Sequence, residues 1–200
     1  MAAGKALGKT YKIVLTGGPC AGKTTIAELV GRAFNHRLIV VPESASLLFR
    51  GGFPRWDEPV GRSALQSAIY RVQLEMEKAY ESHFAGRVLL LDRGTVDGAA
   101  YWPAGPDQFF SNLNSSPEQE LARYDEVIYL ESANEEDYGI HSLRNPSRTE
   151  NWDEARELDG RTRAIWERHP MFHVVQNKRA FSDKIFEVLK VIENTLSRTN

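Results

Sequence analysis

Gly17 to Thr24 constrain this chain more than any other segment. They read GGPCAGKT: a glycine, four residues, a second glycine, then lysine and threonine. The β-branched apolar run Lys12 to Thr16 (KIVLT) precedes them, and Ile26, Ala27, Val30 and Phe34 follow at helical spacing. A chain passing from strand to helix through so short a loop must curl tightly, and glycine permits that curl. Successive N–H groups then point inward at one spot, where the positive end of the new helix adds its field. Such a construction cradles a phosphate. Gly17, Gly18, Pro19, Cys20, Ala21, Gly22, Lys23, Thr24 and Thr25 are its expected members, with Lys23 reaching β- and γ-phosphates and the Thr24 hydroxyl ligating Mg²⁺. Cys20 is read as a small residue that fits the loop, with a thiol acidified by the helix terminus as the alternative.

The strand and helix patterns then recur. Arg37 to Val41 (RLIVV), Arg87 to Leu91 (RVLLL), Glu126 to Leu130 (EVIYL) and Phe172 to Val175 (FHVV) are further apolar runs. Continuous rather than alternating apolar character predicts strands buried on both faces, as in a parallel sheet. Leu65, Ile69, Val72, Met76, Tyr80 and Phe84 predict the core stripe of a long amphipathic helix between the second and third runs. Asn151 with Glu154 predicts a capping pair opening a helix striped by Ala155, Leu158, Ile165 and Trp166. Ile185, Val188, Leu189, Ile192 and Leu196 predict a last helix. The expected fold class is α/β, a three-layer sandwich around a five-stranded parallel sheet, formed by residues 1–200 as one domain. Loop insertions are expected near residues 51–59 and 101–117, where aromatics mix with turn formers. Trp56, Trp102, Phe109 and Phe110 there either anchor the loops on the core or line a pocket.

Composition excludes several function classes. With 25 basic and 27 acidic side chains the net charge is −2, so no broad basic field exists to hold a nucleic-acid backbone. One cysteine cannot form an internal disulfide, and no cysteine-histidine cluster indicates zinc. The opening MAAGKALGKTYK lacks the apolar core of a signal peptide, and no apolar run approaches the ~20 residues of a membrane span. Integral membrane insertion is not expected, and a cytoplasmic location is.

Two strand ends carry further chemistry. Asp92 ends the third run, where a carboxylate supports Mg²⁺ opposite a phosphate loop. Pro42-Glu43 ends the second. With Asp92-Arg93-Gly94 and an arginine-bearing segment before the fifth run, these features resemble nucleoside and nucleotide kinases. More closely, GGPCAGKTT, VPESAS, LLLDRGTVDGAAY and RYDEVIYLE are similar to the AAA-type ATP-binding domain family related to nicotinamide riboside kinases. That family contains kinases and other nucleotide-binding proteins. The resemblance implies ATP and Mg²⁺ as cofactors, GTP remaining open, and a phosphotransferase acting on a small molecule such as a nucleoside, nucleotide or pyridine riboside. It implies that Lys23, Glu43, Asp92, Arg93, Arg144 and Arg148 carry the catalysis, with Thr24 and Asp92 as metal ligands. Glu43 would approach the acceptor hydroxyl, or else simply cap the helix starting at Ser44. Arg93 would contact phosphate or acceptor. Arg144 or Arg148, in the lid-like segment 134–150, would serve as an internal arginine finger or form a solvated pair.

Other polar residues have open readings. Asp97 either stabilises a helix dipole or binds substrate. Gln66, Gln73 and Arg71 read a base or sugar, or are solvated positions of the long helix. Arg156, Arg161 and Arg163, mixed with Glu154, Glu157 and Asp159, are expected on an exposed face. Asn177-Lys178 lacks the aspartate of a guanine-reading NKxD, since Ala180 holds that position. The alternative to a kinase is a regulatory nucleotide-binding protein, an ATPase or GTPase that engages a protein or lipid partner.

Overall fold

The computed structural model describes residues 9–135, 138, 151–177 and 180–199. Five strands, β1 (Tyr11–Gly17), β2 (Leu38–Val41), β3 (Val88–Asp92), β4 (Glu126–Leu130) and β5 (Phe172–Val175), form one sheet in the order β2-β3-β1-β4-β5. Every neighbouring pair is parallel. The helices are α1 (Lys23–Ala33), α2 (Ser44–Arg50), α3 (Pro59–His83), α4 (Asp97–Ala100), α5 (Pro106–Asn112), α6 (Pro117–Leu121), α7 (Trp152–Trp166) and α8 (Phe181–Arg198).

Successive strand side chains point to opposite faces, and both faces are covered. Val14, Leu89, Leu91 and Val127 pack with residues of α3, α4, α5 and α7, whereas Ile13, Leu15, Leu90 and Ile128 pack with α1 and α8. The expected three-layer α/β sandwich is therefore the observed one. The capping box at Asn151 and Glu154 is formed as the sequence predicts, each side chain bonded to the other residue's backbone amide.

Two readings change. Within 101–117 lies α5, and Trp102, Phe109 and Phe110 are buried in the core, which is the anchoring alternative. Trp56 stays partly exposed, edge-on to Phe53, whose loop borders a cleft of about 440 Å³ with Leu47, Leu48 and Val72. Along α3, Leu65 of the expected stripe is buried, Ile69, Val72 and Met76 are only half-buried, and Gln66, Tyr70, Gln73 and Glu77 form a second, buried stripe. Apolar spacing located the helix and part of its inner face, since Leu65 is buried and Met76, Tyr80 and Phe84 pack against the core, but it missed the polar part of that face, where Tyr70, Gln73 and Glu77 have hydrogen-bond partners. Gln66 and Gln73 are thus not solvated, while Arg71 is exposed.

Gly17 ends β1 at φ 140°, and a side-chain carbon there would run into the Leu130 carbonyl oxygen of neighbouring β4. Gly17→Ala should therefore destabilise the fold by roughly 2–4 kcal/mol, read as a lower urea midpoint at unchanged slope.

Candidate functional site

Sheet register brings the site together. Leu15 pairs with Asp92 and Val41 with Leu91, so Thr16 at the end of β1, Arg93 after β3 and Glu43 after β2 lie level at the carboxyl edge. Ligands bind at this edge in open α/β sheets.

The loop between β1 and α1 turns as tightly as its glycines allow. Gly22 precedes α1 at φ 87°, and its carbonyl accepts from Ile26 N–H at 3.0 Å, starting the helix. Cys20 also has positive φ, 59°, and is half-buried. Pro19 and Ala21 are buried, whereas Thr24 and Thr25 are exposed on the first turn of α1. Lys23 folds back, its Nζ donating to the Gly17 and Gly18 carbonyls at 2.8 and 2.7 Å. Burial, then the Arg93 guanidinium, pull its ammonium down to about 7 against the opposing charges of Asp92, Glu43 and Asp97. A neutral amine still carries two protons, enough for both carbonyl bonds. An incoming polyphosphate would restore the charge.

Beside the loop, Thr24 Oγ1 donates to Asp92 Oδ2 at 2.8 Å, while the buried Asp92 Oδ1 has no hydrogen-bond partner among the described residues. Burial, then the nearby Glu43 charge, raise the Asp92 carboxyl. An under-satisfied buried carboxylate oxygen next to a hydroxyl fits a hard, oxygen-seeking cation such as Mg²⁺. Among the described residues no group of three histidine, cysteine or acidic side chains is arranged to hold a metal. Two protein ligands plus substrate phosphates are the usual Mg²⁺ arrangement, so the donor set fits.

On the β2 side, Arg93 Nε donates to Glu43 Oε1 at 2.7 Å and Arg93 Nη1 to Asp97 Oδ1 at 3.2 Å. Ser46 Oγ donates to the other Glu43 oxygen. Burial resists the Glu43 charge, but Arg93, Ser46 and Lys23 together outweigh it, and its carboxyl lies below the usual carboxylate range. Glu43 also occupies the position preceding α2, but its side chain makes no capping bond to that helix's backbone.

Asp97 does more than face a helix dipole. Its carboxylate accepts from Thr16 Oγ1 at 2.6 Å, Gly94 N–H at 2.9 Å and Trp166 Nε1 at 3.2 Å as well as from Arg93, joining β1, the turn after β3 and α7. With all four donors supplied by protein, its role here is to organise the edge.

Asp159 was expected on an exposed face, yet it is half-buried and its Oδ1 accepts from Gly18 N–H at 2.8 Å and from the Tyr129 hydroxyl. The signal was present: Asp159 shares the α7 stripe of Ala155, Thr162 and Trp166, all buried. Arg156, Arg161 and Arg163 are exposed as expected. Asn177 N–H donates to Glu131 Oε2 at 3.1 Å. Lys178, Arg144 and Arg148 lie outside the described residues, as does most of the segment 134–150.

The structure thus unites the glycine-rich loop, Asp92, Arg93 and Glu43 at the carboxyl edge of the parallel sheet. The solved structure of shikimate kinase from Aquifex aeolicus vf5 is similar, with a TM-score of 0.53, 16% sequence identity, and 92% of this chain and 97% of that chain covered. The model of a family described as AAA domain matches residues 12–184. This chain belongs to that AAA-domain family. No curated protein sequence matches it. No described helix is long and apolar enough to cross a membrane.

The Lys23 titration gives a signed test. Between about 7 and the ordinary 10.5, the unfolded chain holds a proton that the native amine lacks. Raising pH through that window removes the proton from the unfolded state, so native stability rises. Urea melts of wild type and Lys23→Met should show wild type gaining on the variant from pH 7 to 10. A constant difference would mean that Lys23 is charged throughout.

Proposed function

We propose that this protein is an ATP- and Mg²⁺-dependent phosphotransferase that moves a γ-phosphoryl group onto a small-molecule acceptor. The observation that carries the reading is the Glu43–Arg93 pair, clamped at 2.7 Å beside the edge that holds Lys23 and Asp92. A nucleotide switch needs a phosphate loop and a metal-side carboxylate. An ionised carboxylate locked to a guanidinium beside them serves a second substrate.

Each group has a role that follows from its surroundings. The loop amides and Lys23 bind the phosphates, and Lys23 takes up its missing proton as they arrive. Thr24 and Asp92 would hold Mg²⁺, which when bound neutralises charge on the β- and γ-oxygens. Glu43, ionised at neutral pH, accepts a hydrogen bond from the acceptor hydroxyl and aims its oxygen. In a loose transfer the proton leaves late, so a weak carboxylate base suffices. Arg93 uses two of its five N–H donors on Glu43 and Asp97. Its positive charge offsets that of the migrating group. Arg144 or Arg148 would add a further cation.

Nucleosides, nucleotides and pyridine ribosides are the acceptor classes that the family resemblance favours. A phosphoryl-transfer screen over them, with ATP and GTP as donors, should find at least one turned over. Lys23→Ala should abolish detectable ATP affinity. Glu43→Gln should keep ATP binding while slowing transfer by ~10²-fold or more, because the acceptor's base is lost while Lys23, Thr24 and Asp92 stay in place. Background hydrolysis alone across the whole screen would instead favour a regulatory nucleotide-binding protein whose loaded state is read by a protein or lipid partner.

A further inference from the structure

The buried stripe of α3 asks for a reason. Gln66, Tyr70, Gln73 and Glu77 recur at i, i+4, i+7 and i+11, all buried, although apolar side chains of similar size would stabilise such a face more cheaply. Their partners lead to the Arg93 turn. Gln73 Nε2 donates to Glu77 Oε1 at 3.1 Å and to the Arg93 carbonyl at 3.3 Å. Both neighbours are acceptors, so the amide fits only this way round; its oxygen would be repelled by either.

Tyr124 completes the support. Its hydroxyl accepts from Thr95 N–H at 2.7 Å and lies 2.9 Å from both Glu77 Oε1 and Thr95 Oγ1. With one proton to give, it donates to the carboxylate, the stronger acceptor. Thr95 Oγ1 in turn donates to Glu120 Oε2 at 2.8 Å. Lys12 and Arg123 flank Glu77 at 3.6 Å each and partly offset the burial that raises its carboxyl. The turn so gripped is a strained one: Arg93 has φ 75°, left-handed for a residue with a side chain, and persists only where its surroundings over-determine it. Arg93 N–H is fixed on the Leu15 carbonyl at 3.1 Å, and Gly94 N–H on Asp97.

We propose that Gln73 and Tyr124 are positioning residues that, joined through Glu77, hold the Arg93 turn and thereby set its guanidinium against Glu43. Neither touches the phosphate side of the site; both act through the turn's backbone. The consequence for catalysis rests on the kinase reading above, whereas the consequence for the turn does not.

The test separates the two. Amide hydrogen exchange across residues 92–97 is compared in wild type, Gln73→Met, Tyr124→Phe and a control, Thr195→Val, at conditions of matched global stability. The control removes a buried hydroxyl on α8 bonded to Glu126 Oε2 at 2.7 Å, on the other side of β1 from the turn. Gln73→Met and Tyr124→Phe should exchange in 92–97 about tenfold faster than the control, the loss expected for one buried hydrogen bond. In the transfer assay their kcat should fall by about tenfold with ATP affinity unchanged. Should Gln73→Met fail to fold, Tyr124→Phe, which keeps its ring, carries the comparison. Exchange at the control's rate in the folded variants overturns the proposal even if wild type is an active kinase. A wild type that phosphorylates nothing removes the kinase reading and leaves the exchange result to decide the positioning.

Discussion

The parallel register of β2, β3 and β1 is the constraint on which the rest depends. Pairing Leu15 with Asp92 and Val41 with Leu91 fixes which residues leave the sheet side by side. A shift of one residue in β2 would turn Glu43 to the opposite face and break its bond to Arg93. The register is itself held by burial: Leu89 and Leu91 belong to one core, Leu90 to the other, so slippage would exchange the environments of every side chain.

From that edge outward, charge is balanced in pairs. Lys23 lies among Asp92, Glu43 and Asp97, and Arg93 divides its donors between Glu43 and Asp97. Burial raises Asp92 and lowers Lys23, which leaves each short of the opposite charge. A polyanion and a dication together would correct both deficits. The Glu43–Arg93 pair is already closed and needs neither, which fits an acceptor-side role. Near-neutral net charge is compatible with all of this, because one polyphosphate is captured by local donors and not by a broad field.

Much of the fold was legible because it rests on local patterns. Strand runs predicted four of the later elements closely, and the capping pair at Asn151 marked the start of α7. What periodicity missed was the polar part of a buried face. On α3 the apolar spacing found the buried Leu65 and the core-packed Met76, Tyr80 and Phe84, while the same helix also buries Gln73 and Glu77. Hydrophobicity is a poor guide where polar groups are buried with partners from distant segments, here Tyr124 and Arg123, 47 and 46 residues away in sequence from Glu77. Asp159 escaped for the same reason: charge suggested exposure, and its acceptor role on Gly18 lies 141 residues away.

By itself, the sequence determined the tight glycine loop, since Gly17 to Thr24 and the flanking strand and helix form a unit whose geometry follows from neighbours in the chain. It also determined the three-layer α/β class, through apolar runs alternating with helical stripes. Only the tertiary structure decided that Glu43 meets Arg93 across 50 residues, that Asp97 ties three elements together, and that a polar seam under α3 grips the Arg93 turn. Those contacts depend on strand order and register, and no residue's local preference encodes which strand lies beside which.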